Sequence, residues 1–87
     1  MKACPKVGDR VKFNGNIVVG PCTGVVERIF KQEEWEDDDD GRDIRPTGRM
    51  MPEKNWHVAV KVDAIPEKWC YDERGVFAPE VCDLVKA

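Results

Sequence analysis

Few side chains in this sequence have the chemistry to act as a catalytic site. His57 is the single histidine, serine is absent, and no glycine-rich phosphate-binding loop is present. Nucleophilic catalysis needs a base next to the attacking thiol or hydroxyl, and His57 has no obvious triad partner. We therefore expect a protein that is not an enzyme and uses no cofactor.

The four cysteines do not form a recognisable ligand set. Cys4, Cys22, Cys70 and Cys82 are widely spread, without a Cys-x-x-Cys pair. Zinc ligands usually come in close pairs, so we predict no metal site. The N-terminus lacks the apolar segment of a secretory signal, which predicts a cytoplasmic protein. In a reducing compartment we expect free, mostly buried thiols; a disulfide remains the alternative.

The acidic run is the other candidate for chemistry. Glu36, Asp38, Asp40 and Gly41 occupy positions one, three, five and six of an EF-hand-like pattern. The twelfth position is Thr47 rather than a bidentate glutamate, and no flanking helices are evident. A fortuitous, solvated acidic run is therefore the preferred interpretation over a calcium site.

Charge is unevenly distributed along the chain. Residues 31–54 hold nine acids and five bases, a net charge of −4, whereas the rest holds eight acids and nine bases. This pattern predicts a long solvated loop between two strands. The functional alternative is a contact loop that meets a basic partner. Its candidate binding residues are Trp35, Asp37, Asp38, Asp39 and Asp40.

The segment that would position these residues is a strand over 56–62. Trp56, Val58, Val60 and Val62 fall on one side of a period-2 pattern, which is typical of a half-buried strand. We predict this strand to be the centre of a barrel. No apolar run approaches the roughly 20 residues that span a bilayer, so no membrane segment is expected.

The remaining pattern indicates short strands and almost no helix. Val11 and Phe13 mark the inner face of a first strand, and 14–22 is expected to be an ordered loop. The strand over 23–30 has imperfect alternation, which indicates either a strong bend or a β-bulge. A strand over 75–78, one helical turn over 78–81 and a last strand over 82–86 complete the chain.

Together these segments resemble the SH3-like small β-barrel. The resemblance is carried by Gly8-Asp9-Arg10-Val11, Thr23-Gly24-Val25-Val26, Trp56 to Val62, and Val76 through Leu84. It implies an all-β, SH3-like five-stranded small barrel, as one domain over residues 1–87. The barrel would carry a charged insertion loop over 31–54 and a short 3-10 turn before the last strand.

Three relatives of that fold give different functional expectations. Type II dihydrofolate reductase has a Val-Gln-Ile-Tyr stretch ahead of a proline, where this chain has Gly75-Val76-Phe77-Ala78 before Pro79. No catalytic residue of that enzyme therefore carries over. Nucleic-acid-binding barrels of the KOW type need a basic face. The basic residues available here are Arg10, Lys12, Arg28 and Lys61, for which scattered solubilising charges are the preferred interpretation.

Protein-interaction barrels of the SH3 or Tudor type use aromatic side chains beside acidic loops. Trp35, Trp69, Tyr71 and the acidic run supply these residue types. We therefore predict a non-enzymatic barrel that binds another protein or a second copy of itself through the 31–54 loop and the aromatic pair. Nucleic acid is not expected as a partner. Barrels of this kind are frequent in phage and mobile-element gene sets.

Overall fold

The structure is a computed structural model that describes residues 1, 3–37 and 43–87. Its strands are β1 (Arg10–Phe13), β2 (Cys22–Phe30), β3 (Glu33–Asp37), β4 (Ile44–Met50), β5 (His57–Val62), β6 (Val76–Phe77) and β7 (Leu84–Lys86), with 3-10 turns at Glu53–Asn55 and Val81–Asp83. The chain is therefore all-β, as predicted. Within the described ranges, no helix has the length and apolar character needed to cross a membrane.

The main sheet is antiparallel and has the strand order β6-β5-β2-β1-β7. The predicted strand over 56–62 is confirmed as β5, where Val58, Val60 and Val62 are buried. Its predicted central position was wrong, because β2 lies in the middle of the sheet and β5 is second from one edge. Val11 and Phe13 on β1 are buried as predicted. Their alternation with exposed residues places one face of the sheet on the core and the other in solvent.

The longest strand, β2, carries a bulge, which the sequence analysis gave as the alternative to a strong bend. Its pairing with β5 runs from Gly24 opposite Val62 to Phe30 opposite His57, and the register shifts between Val26 and Arg28. The bulge explains why apolar residues of this strand do not keep strict alternation.

The predicted ordered loop between β1 and β2 is confirmed. The Asn16 side-chain oxygen accepts hydrogen bonds from the backbone N–H groups of Val18 (2.9 Å) and Val19 (2.8 Å). Val19 is buried in the core. Gly15 has φ of 94°, in the region that glycine adopts at low cost. One asparagine and one buried valine thus hold the loop against the sheet.

The single turn before the last strand lies later than predicted. It spans Val81–Asp83, whereas the sequence placed it over 78–81. The predicted position was wrong because Pro79 and Glu80 extend along β5: the Val58 N–H donates to the Pro79 carbonyl (3.1 Å), and the Val81 N–H donates to the Trp56 carbonyl (2.9 Å). Glu80 also forms an isolated bridge with His57.

The predicted barrel closure does not appear among the described strands. β6 and β7 end the order of the main sheet and are not neighbours in it. These five strands therefore form an open hydrogen-bonded sheet.

The prediction that 31–54 is one long loop was wrong. β3 and β4 pair as an antiparallel hairpin with a sheet of its own, and a 3-10 turn follows it at Glu53–Asn55. Cross-strand pairing of opposite charges favours strands here although apolar alternation is absent. Residues 38–42 lie outside the described residues, and with them Asp38, Asp40 and Gly41 of the EF-hand-like pattern that was set aside above.

Candidate functional site

The hairpin of β3 and β4 has two chemically different faces. Trp35 is directly opposite Pro46, Asp37 is opposite Ile44, and Glu33 is opposite Met50. Side chains of directly opposed residues share a face of an antiparallel pair. We call this the Trp35 face; it consists of Glu33, Trp35, Asp37, Ile44, Pro46 and Met50.

The opposite face is occupied by ion pairs. The Glu36 carboxylate lies 3.6 Å from Nε of Arg45, and the Glu34 carboxylate lies 3.2 Å from Nε of Arg49. The Thr47 hydroxyl donates to the backbone carbonyl of Glu34 (3.4 Å). We call this the ion-pair face. Its two arginines are directed away from Trp35 by strand alternation and are engaged by carboxylates.

The Trp35 face leaves apolar surface in solvent. Trp35 is 60% exposed, Ile44 64% and Met50 47%, and Pro46 is also exposed. From their side-chain sizes, these four residues expose on the order of 400 Å² on one face of the hairpin, within the range where an exposed patch is often a binding site. Proline opposite tryptophan also keeps the patch rigid, because its ring fixes φ.

The base of the hairpin is fixed to the main sheet by Trp56. Its indole Nε1–H donates to the Met51 carbonyl (2.9 Å), and the Met51 N–H donates to the Gln32 carbonyl (2.8 Å). The Lys31 ammonium lies 5.6 Å from the centre of the Trp56 ring. Because an isolated two-stranded hairpin is marginally stable in water, these contacts are needed to hold the Trp35 face in place.

The predicted aromatic pair, Trp69 and Tyr71, packs beside the buried Phe77. The rings of Trp69 and Tyr71 meet edge to face with centroids 5.3 Å apart, and both pack near buried Phe77, at 5.6 and 6.2 Å. The indole Nε1–H of Trp69 donates to the Asp72 carbonyl (2.9 Å). Burial raises the pKa of the Tyr71 hydroxyl, with a further contribution from Cys70. The pair extends the core toward the surface.

The structure brings together only part of the predicted site. Trp35 and Asp37 share the Trp35 face, and Asp38, Asp39 and Asp40 lie outside the described residues. That the hairpin and the Trp69–Tyr71 pair form one contact surface stays a prediction.

The predicted basic residues are partly engaged within the sheet. Arg10 pairs with the carboxylate of Asp63, which also accepts a hydrogen bond from the Thr23 hydroxyl (2.9 Å). These two hydrogen bonds lower the pKa of Asp63. The Lys61 ammonium donates to a backbone carbonyl of the next loop, that of Arg74.

All four cysteines are free thiols, as the preferred prediction had it. Cys4 and Cys22 are half-buried, and burial raises the pKa of each thiol. Cys70 and Cys82 are exposed, so the expectation of mostly buried thiols was wrong. In the described parts of the chain, no three metal-ligating side chains cluster in a geometry that would hold a metal ion.

Sequence reasoning missed Ile44, Pro46 and Met50. These residues are separated by charged and polar neighbours, and their common face depends on the hairpin register, which the sequence did not indicate. Trp35 was found because an indole in an acidic run is unusual. No protein-family model matches this chain, and no curated protein or solved structure matches it either.

Proposed function

We propose that this chain is a non-enzymatic protein-binding module, an SH3-like small barrel whose β3–β4 hairpin is the contact arm. The barrel assignment is supported by the strand order, in which β1, β2, β5 and β6 pair consecutively and β7 returns to β1. The 3-10 turn directly before β7 supports it as well. Phe77, at the position compared above with the reductase stretch, is buried in the core, so the reductase alternative gains no support.

The observation that carries the proposal is the asymmetry of the hairpin. One face is occupied by its own ion pairs, while the Trp35 face presents Trp35, Ile44 and Met50 to solvent. Exposed apolar side chains on this face contribute no buried surface to the fold of this chain. Docking a partner on them would remove the patch from water.

The size of the patch indicates a transient complex. Burying about 400 Å² at ~25 cal/mol/Å² would contribute roughly 10 kcal/mol, which is comparable to the ~4–15 kcal/mol cost of association. The remaining affinity would have to come from polar contacts around the patch. This balance is typical of interactions that form and dissociate rapidly.

Site-directed photo-crosslinking tests the proposal. A benzophenone amino acid replaces Trp35 or Ile44 on the Trp35 face, and Glu34 or Arg45 on the ion-pair face as matched controls, in cells that naturally make the protein. We expect Trp35 and Ile44 to crosslink to one common protein, with far weaker products from Glu34 and Arg45. A crosslinked copy of this chain would support the self-associating form of the proposal. Equal products from both faces, or none from either, would refute it.

The nucleic-acid alternative has weaker support. Two residues of its predicted patch, Arg10 and Lys61, are engaged by Asp63 and by the Arg74 carbonyl. A competent patch would need these cations available for phosphates.

A further inference from the structure

We propose that the partner of the Trp35 face is an extended, cationic protein segment that places an arginine or lysine side chain over Trp35 between Glu33 and Asp37. This inference rests on the proposed function and names the chemistry of the partner. It selects a foreign basic segment over a second copy of this chain.

Charge segregation across the hairpin is the first step. The Trp35 face carries two carboxylates, Glu33 and Asp37, and no base among its described residues. The described bases of this hairpin, Arg45 and Arg49, lie on the ion-pair face and contact Glu36 and Glu34. Among the described residues of β3 and β4, the face that is open to a partner therefore carries carboxylates and no base.

The same charges disfavour self-association through this face. Two copies related by a two-fold axis would oppose carboxylates to carboxylates, and like charges across an interface are repulsive. A basic segment would reverse the sign of each of these interactions.

Trp35 provides the apolar part of a cation site. Residues two apart on a strand share a face and are separated by roughly 7 Å, so Glu33 and Asp37 flank the indole on either side. A cation over a tryptophan ring gains about 0.5–1 kcal/mol at an exposed site. The chain already contains such contacts: the Arg28 guanidinium lies 5.3 Å from the Phe30 ring centre.

The area of the patch favours a segment over a folded surface. About 400 Å² is half of the roughly 800 Å² that each partner contributes to a standard interface. A symmetric dimer through this face would bury about 800 Å² in total, below the ~1,200 Å² minimum of stable complexes. One extended strand of a few residues covers a patch of this size.

Two matched peptides test the partner chemistry with the intact chain. Both are about ten residues long and alternate valine with a charged residue, arginine in one and glutamate in the other. Binding is followed through the three indole N–H signals in ¹⁵N-labelled protein, of which those of Trp56 and Trp69 serve as internal references because they donate to backbone carbonyls. We expect the arginine peptide to bind with a dissociation constant at least tenfold lower than that of the glutamate peptide, as measured from the shift of the Trp35 signal. Its binding should weaken at higher salt.

Charge variants on the two faces separate local recognition from overall attraction. The double variant Glu33→Gln/Asp37→Asn and its control Glu34→Gln/Glu36→Gln remove the same formal charge from the same strand. Since exposed ion pairs contribute up to about 1 kcal/mol each, we expect the first variant to bind the arginine peptide roughly three- to tenfold more weakly, and the control to change by less than about twofold.

Each outcome is decisive and distinct from a failure of the proposed function. Equal weakening by both double variants would overturn the site, because only net charge would then matter. Equal binding of both peptides, or no shift of the Trp35 signal, would overturn the cationic partner even if the crosslinks from Trp35 and Ile44 were obtained. A crosslinked second copy of the chain would overturn it as well. Retained dispersion of the indole signals would show that the hairpin is intact in each variant.

Discussion

Replacing Gly24 by alanine should disrupt the junction between β2 and β5 on which the hairpin depends. Gly24 is paired with Val11 on β1 and with Val62 on β5. A Cβ atom at this position would overlap the backbone carbonyl oxygen of Lys61 and lie 2.8 Å from Cγ1 of Val60. The Lys61 carbonyl is a backbone group, so it cannot move away by a change of rotamer as a side chain could. One added methyl group therefore forces the two strands apart.

The expected loss of stability is about 3 kcal/mol or more. Overpacking a core usually costs about 1–3 kcal/mol when side chains can adjust. Here the sheet must yield, and each lost backbone hydrogen bond costs about 1 kcal/mol in addition. For 87 residues, the total free energy of unfolding should be about 4–13 kcal/mol. Gly24→Ala should thus remove a large fraction of the free energy of unfolding.

Urea denaturation followed by circular dichroism measures the effect, with Gly20→Ala as the matched control. A Cβ at Gly20 would lie 3.3 Å from Cβ of Pro66 and 3.7 Å from that of Lys68, so this loop position should lose less than about 1 kcal/mol. With a urea dependence of roughly 1 kcal/mol/M, Gly24→Ala should lower the midpoint by about 3 M or leave the protein unfolded in buffer. A Gly24→Ala midpoint within about 0.5 M of the Gly20→Ala midpoint would refute the close approach of β2 and β5.

Three further predictions follow from single contacts. The pKa of Asp63 is lowered by hydrogen bonds from Arg10 and Thr23. A carboxyl with a lowered pKa stabilises the fold above the ordinary aspartate pKa of about 4, and this stabilisation is lost as the pH falls below that value toward the pKa of the folded state. Asp63→Asn should therefore flatten the acid side of a curve of unfolding free energy against pH. Trp56→Phe removes the donor to the Met51 carbonyl and should speed amide exchange at Met51 at least tenfold while the exchange of β5 amides changes little. The Cys22 thiol, with a pKa raised by burial, should react slowly with a thiol reagent at pH 8 and fully in denaturant; equal rates in both would contradict its packing.

The central sheet could be predicted because its residues carry a burial pattern. Val58, Val60 and Val62 alternate with exposed or half-exposed neighbours, and a half-buried strand has that period. The irregularity of β2 was also visible, since Val25 with Val26 and Ile29 with Phe30 place apolar side chains on both faces of the strand. The sequence did not distinguish a strong bend from the bulge that lies between Val26 and Arg28. Closure into a barrel could not be read from such a pattern, because burial of one face does not specify how the sheet edges meet.

The hairpin could not be predicted because its strands bury almost nothing. β3 reads Glu-Glu-Trp-Glu-Asp, and every residue except half-buried Glu34 is exposed. Its cross-strand contacts, such as Glu36 with Arg45, join residues that lie nine positions apart in the sequence. Block charge of this kind is usually a sign of a solvated loop.

The register of the hairpin is what gives it a binding face. One residue separates Glu33 from Trp35, whereas three residues separate their partners Met50 and Pro46, so β4 carries two extra residues at an irregularity that contains Gly48, with φ of 83°. Because an even number of residues is added, Met50 stays on the same side as Pro46. A register shifted by one would place an arginine beside Trp35 and an apolar side chain among the ion pairs. Gly48 adopts this positive φ at low cost, and the resulting register keeps the apolar and negative groups together on one side.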